Sequence, residues 1–268
     1  MARIGRLMKG FPRMIPPVEA TLVHTDATGL TAGEVWIPVA DGELPAYRAE
    51  PAQGGPHPVM LVVQEVFGCD DYLKDTCRRL AKRGYQAIAP ELYAREGEPG
   101  EAQSREDLFK IVGRVRDEQV MADLDAAVAW AERNGGDSAR LGITGFCWGG
   151  RAVWLYAAHS PKLRAGVAWY GRLVGDPPAK HPIDVAGALR APVLGLYGGA
   201  DQGIPLPTVE RMRAALAAAG SKSEIVVYDG APHAFHADYR PSYVRAHAED
   251  GWRRLLDWLG RNGVAVSR

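Results

Sequence analysis

The chain has 268 residues, of which 47% are hydrophobic and 24% are charged. This composition is ordinary for a globular protein and excludes a disordered tail protein. Lys and Arg together number 32, as do Asp and Glu, so the formal net charge is zero. That balance argues against a chain built mainly to bind nucleic acid or an anionic membrane, since both need a cationic excess.

The N-terminal segment, residues 1–17, is basic and only lightly apolar. It lacks the apolar stretch of about 7–15 residues that a secretory signal needs. Elsewhere no apolar run reaches the roughly 18 residues of a transmembrane helix. We therefore expect a cytoplasmic protein with an N-terminal extension that frays or docks on the surface.

The pattern from Val18 to Glu50 is typical of β-structure. Three short segments, VEATLVHT, GEVWIPVA and ELPAYRAE, are separated by the turn signals TDATG and ADG. Segments rich in Val, Thr, Trp and Tyr between such turns predict strands. A break follows at residues 53–58, and we expect the strands before it to form an antiparallel edge.

After the break, strands alternate with helices. Continuous apolar runs predict buried strands, and apolar stripes at helical spacing predict helices. The predicted strands are 59–65, 85–92, 140–146, 163–171, 192–199 and 223–230, and the predicted helical regions are 71–83, 104–133, 151–159, 208–219 and 243–259. Such βαβ units predict an α/β fold, with a mostly parallel sheet covered by helices on both faces. Without repeats or linkers, residues 18–268 are expected to be one domain.

The strongest local motif is GFCWGG at residues 145–150, between a predicted strand and a predicted helix. Its form, G-x-C-x-G, is that of a nucleophile elbow with Cys in place of Ser. Flanking glycines allow a tight, strained turn, which would expose the Cys147 sulfur beside a helix N-terminus. The alternative is a small buried cysteine before a helix cap.

An acid and a histidine follow in the order that a catalytic triad needs. Asp201 comes directly after the fifth predicted strand, and His233 comes after the sixth. Alone, Asp201 could be a turn or cap residue, and His233 is one of seven histidines. Together with Cys147, however, they lie at the carboxyl ends of strands, where open α/β sheets bind ligands. We predict a triad of Cys147, His233 and Asp201.

Five motifs, three of which contain these residues, resemble the dienelactone hydrolase (carboxymethylenebutenolidase-like) family, a branch of the α/β-hydrolase fold with a Cys-Asp-His triad. The resemblance covers roughly residues 46–259. The motifs that carry it are QEVFG at 64–68, PELYAR at 90–95, GFCWGG at 145–150, GAD at 199–201 and PHAF at 232–235.

The resemblance implies roles for further residues. Glu65 matches a glutamate that contacts the resting thiol and takes its proton; its alternative role is a helix cap. The backbone N–H groups of Val66 and Trp148 would form an oxyanion hole. Arg95 matches an arginine that binds the substrate carboxylate; its alternative is a solvated loop arginine.

Two positions depart from the family pattern. Dienelactone-specific members have a second arginine four residues after the catalytic histidine, where this chain has Ala237, with Arg240 nearby. Members place a substrate-contacting tyrosine where Trp169 stands, so Trp169 is predicted to contact substrate. The resemblance therefore implies the chemistry and leaves the individual substrate open.

The predicted function is hydrolysis of a lactone or activated ester through an acyl-enzyme intermediate on Cys147. The alternatives are a broader carboxylesterase or thioesterase, a non-catalytic ligand-binding protein and a peptidase of the same fold. Cys69, Cys77 and the histidines show no metal-ligand spacing, and no strand precedes a nucleotide-binding loop, so we expect no metal and no nucleotide cofactor. The expected partner is a small-molecule ester or lactone, without nucleic acid or membrane, and the expected assembly is a monomer or a weak homo-oligomer.

Overall fold

The structure, a computed structural model, describes residues 1–176 and 179–266. In chain order its strands and α-helices are β1 (Leu30–Val39), β2 (Gly42–Pro51), β3 (His57–Val63), α1 (Asp71–Ala81), β4 (Gln86–Pro90), α2 (Arg105–Val112), α3 (Asp117–Arg133), β5 (Gly136–Phe146), α4 (Trp148–His159), β6 (Leu163–Trp169), β7 (Val193–Gly198), α5 (Leu206–Ala218), β8 (Glu224–Tyr228) and α6 (Arg245–Arg261). Short 3-10 helices cover Glu19–Thr21, Pro99–Glu101 and Pro182–Ala188.

All the strands just named form one sheet, in the spatial order β1-β2-β4-β3-β5-β6-β7-β8. β1 is antiparallel to β2, and β2 is antiparallel to β4. The remaining neighbours pair in parallel. The predicted mostly parallel sheet with an antiparallel N-terminal edge is therefore confirmed.

The central strands are buried on both faces. Every residue of β7 is buried, as is every residue of β3 from Pro58 onward. Because successive side chains of a strand point to opposite faces, continuous burial means that helices cover both sides of the sheet. The predicted helices are present, and the region 104–133 divides into α2 and α3.

The prediction that VEATLVHT forms the first strand is wrong. Glu19–Thr21 forms a single 3-10 turn instead. The Val18 N–H donates to the Tyr239 carbonyl at 2.9 Å, and the Thr25 N–H donates to Asp75 Oδ1 at 2.6 Å. These groups bond to a loop and to a side chain rather than to a neighbouring strand, so the β-like composition does not produce a strand here.

The segment 1–17 lies on the surface of the domain. The Ile4 N–H donates to the Glu43 carbonyl, and the Asp71 N–H donates to the Gly10 carbonyl, at 2.9 and 3.0 Å. Leu7 is buried, so this segment packs against the domain. Among the described residues, no helix combines the length and apolarity needed to cross a membrane.

The sheet brings four loops to one edge. β3, β5, β7 and β8 run parallel, so their carboxyl ends point the same way. The residues that follow these ends include Glu65, Cys147, Asp201 and His233. This edge is where α/β sheets place their ligand sites.

Candidate active site

Cys147 occupies a strained turn between β5 and α4. Its φ is 54° and its ψ is −112°, a conformation that residues with a Cβ rarely adopt. A Cβ at Gly149 would lie 2.5 Å from the carbonyl oxygens of Val63 and Gln64, and a Cβ at Gly145 would collide with the Gly149 carbonyl. Only glycine fits these two positions, so the predicted elbow is present, with Cys147 partly exposed at the helix N-terminus.

Asp201 and His233 contact each other as the sequence predicts. His233 Nδ1 lies 2.7 Å from Asp201 Oδ2. The other carboxylate oxygen, Oδ1, accepts the backbone N–H groups of Gly203 and Ile204 at 2.8 and 3.1 Å. Because both oxygens are bonded and the Asp201 side chain is only 1% exposed, the carboxylate has one fixed orientation.

His233 joins the acid to the cysteine. Burial lowers the pKa of His233, but its hydrogen bonds with Asp201 and with the Cys147 side chain outweigh burial and raise the pKa to about 10. The ring is therefore protonated at neutral pH. An imidazolium beside a sulfur stabilises negative charge on that sulfur. The structure thus brings together all three residues of the predicted triad.

This protonation predicts how stability depends on pH. The pKa of His233 in the folded chain, about 10, exceeds the value of about 6.5 for an unperturbed histidine. The protonated ring therefore contributes stability that is complete below pH 6.5 and is lost as the pH rises towards 10. We expect the free energy of unfolding of the wild type, minus that of His233→Gln, to fall over this range in chemical denaturation. A difference that stays flat would contradict the assigned contacts.

Two backbone N–H groups beside Cys147 are unused. Trp148 is the first residue of α4, and Val66 lies in the turn after β3. That turn abuts the elbow, because the Gly149 N–H donates to the Gln64 carbonyl at 3.0 Å. Within residues 1–176 and 179–266, neither the Val66 N–H nor the Trp148 N–H donates a hydrogen bond. Two free donors next to a nucleophile can stabilise an oxyanion.

Glu65 is buried beside the site, but its contacts differ from the predicted ones. Its Oε2 accepts the Tyr239 hydroxyl at 2.9 Å, and its Oε1 lies 3.6 Å from Arg240 Nη1. No hydrogen bond joins it to the Cys147 thiol in the described part of the chain. The predicted resting contact is therefore not present, because the Glu65 carboxylate is turned to Tyr239 and Arg240.

The contacts of Arg95 do not favour its predicted role. Its Nε and Nη2 donate to the two oxygens of Asp41 at 2.7 and 2.8 Å. Its Nη1 and Nη2 donate to the two oxygens of Asp123 at 2.6 and 3.1 Å. All three nitrogens are already paired with carboxylates of this chain. Four of its five N–H groups are used in these contacts, so one Nη1 N–H is left, which cannot make the two-point contact of a carboxylate clamp.

The prediction that Trp169 contacts substrate is also wrong. The side chain is fully buried. Its ring packs against Phe146 and His236, with ring centroids 5.7 and 4.3 Å away, and its Nε1 donates to Thr144 Oγ1 at 3.1 Å. What Trp169 gives the site is its backbone carbonyl, which accepts the Cys147 N–H at 3.0 Å and supports the elbow.

Arg240 is a site residue that the sequence motifs did not identify. Its guanidinium lies beside Glu65 and 5.9 Å from the centre of the Phe67 ring, with the side chain 21% exposed. Its side chain donates no hydrogen bond to any described residue. The only local signal for this role is a positive charge seven positions after His233, whereas the family pattern has its arginine four positions after the histidine. An arginine with unused donors near a nucleophile can bind an anionic group.

The sheet topology, the elbow and the acid–histidine pair at one sheet edge define an enzyme of the α/β-hydrolase fold. The sequence profile of the dienelactone hydrolase family matches residues 44–263. The chain therefore belongs to the dienelactone hydrolase family.

Similar proteins agree with this assignment. A Methylorubrum extorquens protein named "Putative carboxymethylenebutenolidase" is 60% identical over 265 residues, which are 97% of this chain and 91% of that protein. A Salmonella typhimurium protein of the same name is 54% identical, covering 95% of this chain and 96% of that protein. A crystal structure of a "Putative Dienelactone Hydrolase" from Klebsiella pneumoniae is 56% identical, with a TM-score of 0.85 and coverage of 87% and 99%.

Proposed function

We propose that this chain is a carboxymethylenebutenolidase-like hydrolase that cleaves lactones or activated esters through a thioester on Cys147. The observation that carries the proposal is the line of contacts from Asp201 through His233 to Cys147, at a strained elbow. In this arrangement the acid orients the histidine, and the histidine activates the sulfur as a nucleophile. A broken elbow or a separated acid would favour a non-catalytic binding protein, and neither is seen.

In the first half-reaction the Cys147 sulfur attacks the acyl carbon and forms a C–S bond. The carbonyl electron pair moves to the oxygen, which accepts hydrogen bonds from the Val66 and Trp148 N–H groups. The oxyanion then collapses and the C–O bond to the leaving group breaks. Protonated His233 gives its proton to the leaving alkoxide or enolate oxygen, which leaves the ring neutral for the second half-reaction.

In the second half-reaction neutral His233 takes a proton from water, and the water oxygen attacks the thioester carbon. The same two N–H groups stabilise the second oxyanion. Its collapse breaks the C–S bond, releases the carboxylic acid and returns the sulfur to its pair with protonated His233. Enol lactones and activated esters suit this sequence because their leaving groups are good, whereas simple alkyl esters are expected to react slowly.

The unused donors of Arg240 favour a substrate that carries a carboxylate. We expect Arg240→Ala to raise KM for an acidic lactone by about 10- to 150-fold, which is about 1.5–3 kcal/mol, because a charge-assisted hydrogen bond is lost. The kcat for that lactone, and the kinetics with its methyl ester, should change much less. Steady-state kinetics on the acid and on its methyl ester measure this ratio.

Arg95→Ala is the matched control, since it removes an arginine that is paired with Asp41 and Asp123. It should lower thermal stability and affect the acid and the methyl ester equally. If Arg95→Ala alone changes the acid-to-ester ratio, the assignment of the substrate carboxylate to Arg240 is wrong.

A hydrolysis screen separates the proposed function from its alternative. Unsaturated lactones, p-nitrophenyl esters and thioesters would be compared at matched concentrations by kcat/KM. Preference for an acidic enol lactone supports the lactone hydrolase, and preference for neutral p-nitrophenyl esters or thioesters supports the broader carboxylesterase or thioesterase. The cytoplasmic location, the single domain over 18–268 and the monomeric or weakly oligomeric state stay predictions.

A further inference from the structure

The buried carboxylate of Glu91 packs against the turn that contains Val66. Glu91, which follows β4, is 4% exposed. Its Oε2 accepts the Cys69 N–H at 2.7 Å, and its Oε1 accepts Gln64 Nε2 at 3.1 Å. Gln64 and Cys69 are the two ends of the turn 64–69, so one carboxylate holds both ends.

The turn is shaped to let this carboxylate approach. Gly68 has a φ of 92°, and a Cβ there would lie 2.8 Å from Glu91 Oε2. A side chain at that position would therefore push the carboxylate away. On the other side, Gln64 Oε1 accepts the Leu92 N–H at 3.2 Å, and Glu91 Oε1 accepts the Tyr93 N–H at 3.2 Å. The strand end at 91–93 and the turn are thus fastened to each other.

The same contacts lead directly to the oxyanion donors. The Gln64 carbonyl accepts the Gly149 N–H at 3.0 Å, which ties the turn to the elbow. The Tyr93 ring packs on the Trp148 ring with centroids 5.0 Å apart, and its hydroxyl lies 3.5 Å from the Glu65 carbonyl. Residues on both sides of Val66, and Trp148 itself, are therefore positioned by groups that Glu91 holds.

The charge of Glu91 has no ion-pair partner among the described residues. Burial raises its pKa to about 7. Lys74 on α1, the Cys69 thiol and the Tyr93 hydroxyl are charged or titratable groups that face it, and an adjoining cavity of about 210 Å³ is lined by Arg6, Lys9, Glu98 and Glu101. A buried carboxylate without a counter-ion costs stability when it is ionised, and the raised pKa means that the three hydrogen bonds of Glu91 do not fully offset this cost.

We infer that Glu91 is a positioning residue of the oxyanion hole: its hydrogen bonds hold the turn 64–69 so that the Val66 N–H and the Trp148 N–H point at the same oxygen. This inference rests on the proposed function. Glu91 touches neither substrate nor sulfur and acts through the backbone of the turn. Glu91→Gln keeps the shape of the side chain but replaces one acceptor oxygen with a donor, so it cannot accept all three hydrogen bonds.

The test compares Glu91→Gln with the wild type and with Asp123→Asn, a control that alters another buried carboxylate, one bonded to Arg95 and Gln119. We expect Glu91→Gln to lower kcat for a p-nitrophenyl ester about 100-fold with KM within about twofold, because oxyanion contacts act in the transition state. Alkylation of Cys147 by iodoacetamide develops no oxyanion, so its rate should stay within about twofold of the wild type. Asp123→Asn should lower stability and keep kcat.

A second readout is the pH dependence of stability, which reports the ionisation of Glu91. Since the folded pKa of Glu91 lies above the value of about 4.5 expected for the unfolded chain, the wild type should lose stability relative to Glu91→Gln as the pH rises from about 4.5 to 7. A purely structural role would instead make Glu91→Gln the less stable chain over that whole range, with kcat and the alkylation rate falling together. If Glu91→Gln does not fold, Glu91→Asp, which keeps the charge but shortens its reach, is expected to show the same loss of kcat.

An unchanged kcat in a folded Glu91→Gln chain, or a parallel loss of alkylation, would overturn the inference. Failure of the proposed function looks different, because turnover would then survive in Cys147→Ala. A wild type whose turnover depends on Cys147, together with a fully active Glu91→Gln, rejects the role of Glu91 alone.

Discussion

Cys147→Ala is expected to abolish turnover, with kcat/KM for an activated ester at least about 10⁴-fold below the wild type. The sulfur is the atom that bonds to the acyl carbon, and no described residue near the elbow can replace it. The fold should be kept, because Cys147 is only partly buried and alanine has the same Cβ as cysteine, so the turn is no more strained than before. Ester hydrolysis and circular dichroism measured on the same preparation check both statements.

Cys77→Ala is the matched control for the loss of a thiol. Cys77 lies in α1 and is fully buried in the core, so its removal should cost about 1–3 kcal/mol of stability and leave kcat near the wild-type value. Iodoacetamide should modify Cys147 far faster than Cys69 or Cys77, since burial raises the pKa of both of those thiols. Turnover by Cys147→Ala close to that of the wild type would remove the cysteine from the mechanism.

Asp201→Asn is expected to lower kcat by about 10³- to 10⁴-fold while the chain stays folded. Gly203 and Ile204 donate their N–H groups to Oδ1 of Asp201, so the remaining oxygen of the asparagine stays on them. The new amide NH₂ then faces His233 Nδ1 and donates to it. The histidine is then held in the wrong tautomer, with its proton on Nε2. Nε2 can therefore no longer accept a proton.

The control for this change is Asp229→Asn, an exposed aspartate in the loop that leads to His233. It should leave kcat unchanged. NMR titration of the histidine ring adds an independent readout, because Asp201→Asn removes a hydrogen bond that raises the pKa of His233. An Asp201→Asn enzyme with wild-type kcat would show that the acid does not orient the histidine during turnover.

The parts of the fold that the sequence predicted well have local causes. Every side chain of the run VMLVV is apolar, so a strand there must be buried on both faces. The motif GFCWGG contains the glycines that a tight strand–helix turn needs. Cys147, Asp201 and His233 each follow a predictable strand, so the sheet topology alone brings them to one edge. By contrast, VEATLVHT has strand-like composition but finds no neighbouring strand to pair with.

The roles of Arg95 and Arg240 depend on partners far away along the chain. Arg95 is paired with Asp41 and Asp123, which are 54 and 28 positions away, and no local pattern shows that these carboxylates already occupy it. Arg240 lies beside Glu65, which is 175 positions earlier in the chain. Tertiary contacts decide which arginine keeps N–H groups available for a substrate, and sequence motifs do not show these contacts.

An acyl group carried on Cys147 during turnover can be trapped as a covalent intermediate. The wild type would be quenched with acid during turnover of a p-nitrophenyl ester, and its intact mass and peptides measured. We expect an added acyl group on the peptide that contains Cys147, removable by hydroxylamine and missing in Cys147→Ala. An acyl group on any other residue, or the same acylation in Cys147→Ala, would contradict this expectation.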